Sequence, residues 1–250
     1  MKAPIFALAW KSLINRRFTA ALTVLSIALS IMLLIGVERL RTEVRASFAN
    51  TISGTDLIVG ARSGPVQLLL YAVFRIGDAT NNISWASYQE LARHPSVAWT
   101  VPLTLGDSHR GYRVLGTTAG YFEHYRFARD RGLEFAAGRP FSDLYDAVVG
   151  AEVAESLGYR PGDPIVVAHG ASDVSFARHH DKPFRVVGVL ERTGTPVDRT
   201  VHVGLEAIEA IHIDWQRGAP SPSVSIDADQ ARAMDLQPKA ITAALVGLKS

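Results

Sequence analysis

The sequence contains no cysteine, so no disulfide bond can staple any part of the chain. A segment exported to an oxidising compartment would therefore depend on an ordinary hydrophobic core for its stability. Hydrophobic residues make up 48% of the 250 positions, which is enough to build such a core.

The sequence also lacks the common nucleotide-binding and catalytic motifs. No G-x-x-x-x-G-K-[ST], G-x-G-x-x-G, G-x-S-x-G or H-E-x-x-H pattern occurs anywhere in it. We therefore expect that this chain does not itself hydrolyse ATP and is not an enzyme of the common hydrolase classes. A membrane-anchored enzyme would need a nucleophile and base pair, and we identify none.

One long apolar run dominates the N-terminal part. Phe18 to Val37 contains no charged residue and no proline. At roughly 1.5 Å per residue, a helix of this length matches the ~30 Å hydrocarbon core of a bilayer. A cleaved signal peptide is the alternative, but the run exceeds the usual ~7–15 apolar residues and no A-x-A-like site follows it. The pattern predicts an uncleaved membrane anchor.

The charges around this run predict its orientation. Four basic residues and no acidic residue precede it, whereas charges of both signs follow it; the four are Lys2, Lys11, Arg16 and Arg17. The positive-inside bias places the N-terminus in the cytoplasm and residues 38–250 on the other side. Without these four, the chain has 22 basic and 24 acidic residues, a net charge of −2. The rest of the chain is therefore not basic, and we expect no nucleic-acid partner.

The patterns divide the chain into four segments. We predict a cytoplasmic amphipathic helix at 1–17, a transmembrane helix at 18–37, a helical stalk at 38–53 and a mixed α+β domain at 54–250. In the first segment Phe6 and Trp10 share one helical face, as in a helix that lies on the inner leaflet and contacts lipid. A short irregular tail is the alternative for that segment.

The last segment alternates short β-branched runs with short helical patterns. Strands are predicted at 57–59, 97–105, 112–117, 147–150, 165–168, 184–190, 200–203 and 224–226. Helices are predicted at 85–93, 151–157, 205–213 and 238–250, with 65–76 either a helix or a hairpin. Because the two kinds of element interleave with hairpin-length turns, the fold class is predicted to be α+β.

Histidine forms the one suggestive chemical cluster. Five of the eight histidines fall within 44 residues, namely His169, His179, His180, His202 and His212, with Asp181 and Asp214 nearby. Imidazoles and carboxylates are ligands that Zn²⁺ uses, and a site would draw on His169, His179 and His180. The spacing from His169 to His179 matches no zinc-ligand pattern, so exposed loop histidines are the competing interpretation.

Three stretches resemble one known family. The run LAWKSLINRRFTAALTVLSIALSIMLLIGV resembles the N-terminus of MacB/FtsX-like ABC-transporter permeases, in which a short amphipathic helix and a basic pair precede the first spanning helix. The runs AVVGAEVAESLGYRPGDPIVV and PFRVVGVLERTGTPVDRTVHV resemble the MacB-like periplasmic core domain of that family. The resemblance covers most of the chain.

This resemblance implies a permease in the bacterial inner membrane that spans it four times and forms a homodimer. A separate cytoplasmic ABC ATPase would bind the ATP, and its motion would reshape the periplasmic domain by mechanotransmission, acting on a substrate or a periplasmic partner protein. Nothing after Val37 is apolar enough to span again, so the sequence would be the first part of such a permease or a single-span relative. The alternative is a single-pass anchored periplasmic binding module, with metal bound through His169, His179 and His180.

Overall fold

The computed structural model describes residues 3–62, 64–169, 182–213, 215–216, 219–220 and 227–249. The chain divides into two units, Met1–Phe48 and Ala49–Ser250. Two helices begin the chain, α1 (Ala3–Asn15) and α2 (Arg17–Thr51). In the described part of the chain, one helical stretch, Arg17–Glu43, is long and apolar enough to cross a membrane by length and composition.

Hydroxyl side chains within this apolar stretch bond to their own helix. Thr23 Oγ1 donates to the carbonyl oxygen of Thr19 at 3.0 Å, and Ser30 Oγ donates to that of Ser26 at 2.9 Å. A hydroxyl that donates to a carbonyl one turn earlier in its own helix adds little to the free-energy cost of placing the helix in an apolar environment. Polar residues in this stretch are therefore compatible with a membrane-spanning helix.

The second unit contains short helices and many strands. The remaining helices are α3 (Pro65–Ala72), α4 (Trp85–Ala92), α5 (Gly120–His124), α6 (Ala151–Leu157), α7 (Leu205–His212), α8 (Ala228–Arg232) and one 3₁₀ helix (Pro196–Arg199). The strands are β1 (Leu57–Gly60), β2 (Ile83–Ser84), β3 (Val97–His109), β4 (Tyr112–Thr117), β5 (Arg126–Phe127), β6 (Arg131–Gly132), β7 (Phe135–Gly138), β8 (Asp146–Val149), β9 (Pro164–Ile165), β10 (Ala168–His169), β11 (Phe184–Leu190), β12 (Thr200–Gly204), β13 (Trp215–Gln216), β14 (Ala219–Pro220), β15 (Ala240–Ile241) and β16 (Ala243–Leu248).

Within the described ranges, ten strands form the main sheet. Eight follow the order β1, β16, β3, β4, β12, β8, β11, β7, while β10 pairs with β3 and β9 with β11. Along the row of eight, β4 with β12 and β8 with β11 are parallel, and the other neighbours are antiparallel. The predicted α+β class is confirmed, with a sheet-rich domain after the apolar helix.

The centre of the sheet is buried on both faces. Ala147 and Val149 of β8 belong to a core cluster that includes α6 and α7, whereas Val148 between them belongs to a second cluster that includes α5. Successive side chains of a strand point to opposite faces, so one strand supplies both layers. The sheet is therefore covered by α6 and α7 on one face and by a cluster that includes α5 on the other.

The C-terminal prediction was wrong. A helix was expected from Pro238 onwards, but the chain forms β15 and β16, and β16 pairs with both β1 and β3. Ala243 to Val246 are all buried, so this run shows no alternation of polar and apolar residues. Its alanine and leucine residues are also typical of a helix. Burial between two strands overrides that local preference. The strand predicted at 224–226 lies outside the described residues.

Candidate functional site

The chain enters the domain at the end of α2, and we call residues Thr51–Asp56 the junction. Tyr125 Oη, next to α5, donates to the carbonyl oxygen of Thr51 at 2.5 Å. Both residues are buried. The last carbonyls of a helix have no partner within the helix, so this hydroxyl caps the end of α2. Burial is the main cause of the raised pKa of Tyr125, and the neighbouring Tyr121 raises it further. The hydroxyl therefore keeps its proton and remains a donor.

A hairpin formed by β5 and β6 holds the next part of the junction. The Ser53 amide donates to the Arg126 carbonyl at 2.8 Å, and the Asp130 amide donates to Ser53 Oγ at 3.0 Å. Between the two strands, Ala128, Arg129 and Asp130 have φ angles of 42°, 64° and 84°. Side chains other than glycine rarely adopt positive φ, so the turn is strained and is held by its surroundings.

The junction then passes into the main sheet. The Asp56 amide donates to the Val246 carbonyl at 3.0 Å, and Asp56 Oδ2 accepts from the Leu248 amide at 2.7 Å. Immediately afterwards, β1 pairs with β16 from Leu57 to Gly60, and β16 pairs with β3. Backbone hydrogen bonds therefore connect Ser53 to the β5–β6 hairpin and residues 56–60 to the main sheet.

Behind the junction lies a row of buried aromatic and polar side chains. The Tyr125 ring is 4.9 Å from that of Tyr121, which is 5.2 Å from that of His202 in β12. Arg75 Nη2 lies 3.4 Å from Tyr121 Oη, and Nη1 donates to the Ala72 carbonyl. Contacts between these side chains therefore run from the capped end of α2 to the middle of the sheet.

The charge state of this buried row is defined by its environment. Burial, with a smaller effect from the Arg75 guanidinium, lowers the pKa of His202 to about 3. The imidazole is therefore neutral at physiological pH, with Nδ1 3.3 Å from the Val148 carbonyl oxygen. Among the described residues, His202 Nε2 and Arg75 Nε have no hydrogen-bond partner.

The structure tests the histidine cluster only in part. His179, His180, Asp181 and Asp214 lie outside the described residues, and the described groups of His, Asp and Glu include no set of three placed to hold a metal. His202 is enclosed in the core. Binding of zinc through His169, His179 and His180 thus stays a prediction.

Two of the remaining histidines lie near Asp107 of β3. His169 is in β10, and its backbone pairs in register with Asp107. His212, at the end of α7, places Nε2 3.5 Å from Asp107 Oδ1. Sequence reasoning grouped these histidines but missed the aspartate, which is far from both in the chain.

A polar cleft of about 360 Å³ lies on another part of the domain, beside β8 and β11. Its charges are largely paired with one another. Arg139 Nη2 is 3.1 Å from Asp146 Oδ2, and Arg232 Nη2 is 3.0 Å from Asp143 Oδ1. The Arg232 hydrogen bond is the main cause of the lowered pKa of Asp143. These internal pairs make the cleft a weaker candidate than the junction.

The sequence analysis missed the residues that hold the junction. Tyr125 and Asp130 lie in an aromatic and charged stretch without helical or strand periodicity, and their partners are more than 70 residues away in the chain. Gly54 lies just after the end of α2. Its φ of +64° and the close approach of Asp130 Oδ1, 3.3 Å from the position of an added Cβ, favour glycine there.

Comparison with known proteins identifies the family. The family model of the MacB-like periplasmic core domain matches residues 20–242. No curated protein sequence matches the chain. Among solved structures, the chain is similar to the periplasmic region of MacB from Actinobacillus actinomycetemcomitans, with 13% identity and a TM-score of 0.43 over 78% of this chain and 76% of that one.

A second similar structure is the extracellular domain of the ABC-type transporter YknZ from Gram-positive bacteria, with 15% identity and a TM-score of 0.40 over 68% of this chain and 74% of that one. The family match extends from the apolar helix α2 to Thr242, immediately before the last strand, β16. The chain therefore belongs to the family of MacB-like periplasmic core domains, which are found in permeases of ABC-type transporters.

Proposed function

We propose that this chain is part of an ABC-transporter permease of the MacB/FtsX type, in which a separate cytoplasmic ATPase drives motion of a periplasmic domain. α2 would cross the inner membrane, and residues 38–250 would lie in the periplasm. The complete permease would act as a homodimer on a substrate or a periplasmic partner protein. The family match and the apolar stretch Arg17–Glu43 support this assignment.

The junction is the observation that carries the proposal. A domain that is only tethered needs a linker, whereas a domain that receives motion needs a stiff attachment to the element that moves. Thr51, Ser53 and Asp56 are each fixed by hydrogen bonds to a different part of the domain. A displacement of the end of α2 would therefore strain α5, the β5–β6 hairpin and β16 together, because these groups are bonded to adjacent residues.

The proposal requires the domain and the ATPase to lie on opposite sides of the membrane. A reporter enzyme that is active only outside the cytoplasm should be active when fused after Ser53 and inactive when fused at the N-terminus. Comparable protein levels in the two fusions provide the control. If the reporter is active at the N-terminus and inactive after Ser53, the chain has the opposite orientation in the membrane and the proposal is refuted.

A further inference from the structure

The polar cleft beside β8 and β11 has more positive than negative charge in its lining. Three arginines and two aspartates line it, namely Arg139, Arg185, Arg232, Asp143 and Asp146. Arg139 is paired with Asp146, and Arg232 is paired with Asp143. In the part of the chain that the structure describes, the guanidinium of Arg185 has neither an ion pair nor a hydrogen bond. One cation of the lining is therefore left for a ligand.

A further carboxylate near Arg232 lies outside this lining. Asp229 accepts a hydrogen bond from Arg232 Nη1 at 2.9 Å, but the aspartate side chain is 93% exposed. Water and salt screen a charge at so exposed a position. The guanidinium of Arg232 also lies 5.1 Å from the centre of the Tyr145 ring, a contact that helps to hold it at the cleft. The excess of positive charge in the lining therefore remains.

The backbone of Arg185 is fixed within the main sheet. In β11 this residue is the register partner of Asp146 in β8 and of Pro164 in β9. Its neighbours along the strand, Phe184 and Val186, are buried. Because successive side chains of a strand point to opposite faces, the side chain of Arg185 points away from that core and lines the cleft. Only this side chain, and not the backbone, has to be ordered when a ligand binds.

The two paired arginines still have N–H groups available. Arg139 Nη1 donates to the Pro140 carbonyl at 2.9 Å and to Ser142 Oγ at 2.6 Å, and Nη2 lies 3.1 Å from Asp146 Oδ2. This carboxylate is itself held, because Oδ2 accepts from two backbone amides at 3.0 Å. A guanidinium has five N–H groups, and the described contacts use three in Arg139 and two in Arg232. Both can therefore donate to a ligand as well.

We propose that this cleft binds a small ligand with one carboxylate group, which pairs with Arg185. The planar guanidinium matches a carboxylate through two parallel N–H···O bonds. One carboxylate balances the one unpaired cation, whereas a phosphate group, with a charge of about −1.5 to −2, exceeds it.

The size and the walls of the cleft suit such a ligand. Its volume of about 360 Å³ lies within the range of ~300–1,000 Å³ that is usual for ligand pockets. Pro183 and Val187 also line the cleft and provide apolar contacts for the carbon atoms of the ligand. The site does not depend on the transporter assignment, so each can fail without the other.

Binding of N-acetyl-L-alanine to the purified full-length chain in a non-ionic detergent tests the site. This probe has one carboxylate, and N-acetyl-L-alaninamide has nearly the same shape without the charge. Saturation-transfer NMR measures both affinities at one constant ionic strength, because salt screens exposed charges. We expect the acid to bind in a saturable way and the amide to bind at least about tenfold more weakly.

Substitutions of Arg185 separate this site from other positive charges. Arg185→Gln should weaken binding of the acid roughly 10–100-fold, because charge-assisted hydrogen bonds are lost. Arg185→Lys keeps the charge without the planar fork and should lose less affinity than Arg185→Gln. Arg93→Gln, which removes an exposed arginine at the end of α4, should bind as the parent does. Since Arg185 has no described partner, both of its variants should match the parent in ligand-free thermal unfolding.

Three results would overturn the proposal. The first is equal binding of the acid and the amide, or no binding of either. The second is an affinity of Arg185→Gln for the acid equal to that of the parent, which would place the bound probe elsewhere. The third is tighter binding of inorganic phosphate than of N-acetyl-L-alanine, which would show that the cleft selects a different class of anion.

Discussion

The hydroxyl of Tyr125 makes a sharp test of the junction. Tyr125→Phe removes one oxygen atom, keeps the ring against Tyr121 and deletes the bond to the Thr51 carbonyl. A typical hydrogen bond contributes about 1 kcal/mol net, and leaving a buried partner without its donor costs about 1–3 kcal/mol. Because Thr51 is buried at the end of a helix, we expect a loss of about 1–2 kcal/mol in the free energy of unfolding.

The assay is unfolding of the full-length chain in detergent, followed by circular dichroism. For a domain of this size, about 1 kcal/mol corresponds to a decrease of roughly 2–4 °C in Tm. Hydrogen exchange gives a local readout, since the amides of residues 51–54 should exchange faster in the variant while those of β8 should not. The local change separates a weakened junction from a general loss of stability.

Tyr112→Phe is the matched control. The Tyr112 hydroxyl has no hydrogen bond to any described residue, and its ring contact with Arg199 survives in phenylalanine. Because the ring and its packing against the core are kept, the free energy of unfolding of this variant should lie within about 0.5 kcal/mol of that of the parent. If Tyr125→Phe is as stable as the parent and its junction amides remain protected, the hydroxyl does not hold the end of α2 and the reasoning fails.

Two further predictions concern the core. Leu245→Ala should lower the free energy of unfolding by about 2–5 kcal/mol, because the leucine side chain is buried in the main sheet. Leu248→Ala should lower it much less, because the Leu248 side chain is 41% exposed, and chemical unfolding of both variants measures the difference. His202 should make the domain sensitive to acid. Its pKa in the folded protein, about 3, lies below the ordinary value of 6.5, so between these pH values the unfolded chain binds a proton that the folded chain does not. Stability should therefore fall as pH decreases from 6.5, by up to about 1.4 kcal/mol per pH unit. Unfolding at pH 5 and pH 7 should show a smaller acid effect in His202→Leu than in the parent, and an equal effect would contradict the assignment.

Local patterns in the sequence predicted much of the fold. The β-branched run Phe184–Leu190 is a strand with the predicted bounds. The helix predicted at 85–93 forms as α4, and Ser84 caps its start by accepting a hydrogen bond from the Ser87 amide. These predictions succeeded because strand propensity and helix capping depend on residues close together in the chain. The last strand, β16, was missed because burial on both faces removes the alternation that identifies a strand.

The candidate sites were much less predictable. The bond from Tyr125 to Thr51 and the contact of His212 with Asp107 join residues that are 74 and 105 positions apart. Such contacts depend on strand order and register, which no local pattern specifies. His202 shows the same limit, because it lies among the clustered histidines in the sequence yet is enclosed in the core.

The central claim, that α2 carries motion into the domain through the junction, is tested most directly with a helix-breaking substitution. Arg45→Pro removes a backbone hydrogen bond within α2 and costs roughly 3 kcal/mol in a helix interior. Arg45→Ala changes the same side chain and preserves the helix. Both variants are made in the complete permease, assembled with its ATPase in lipid nanodiscs.

The measurement is hydrogen exchange of the β1 amides, Leu57–Gly60, with and without ATP. In the parent and in Arg45→Ala, ATP should change the exchange of these amides. In Arg45→Pro the ATP-dependent change should disappear, although the permease still inserts into the membrane and binds its ATPase. The same ATP-dependent change in Arg45→Pro as in the parent would contradict the claim that α2 transmits the motion.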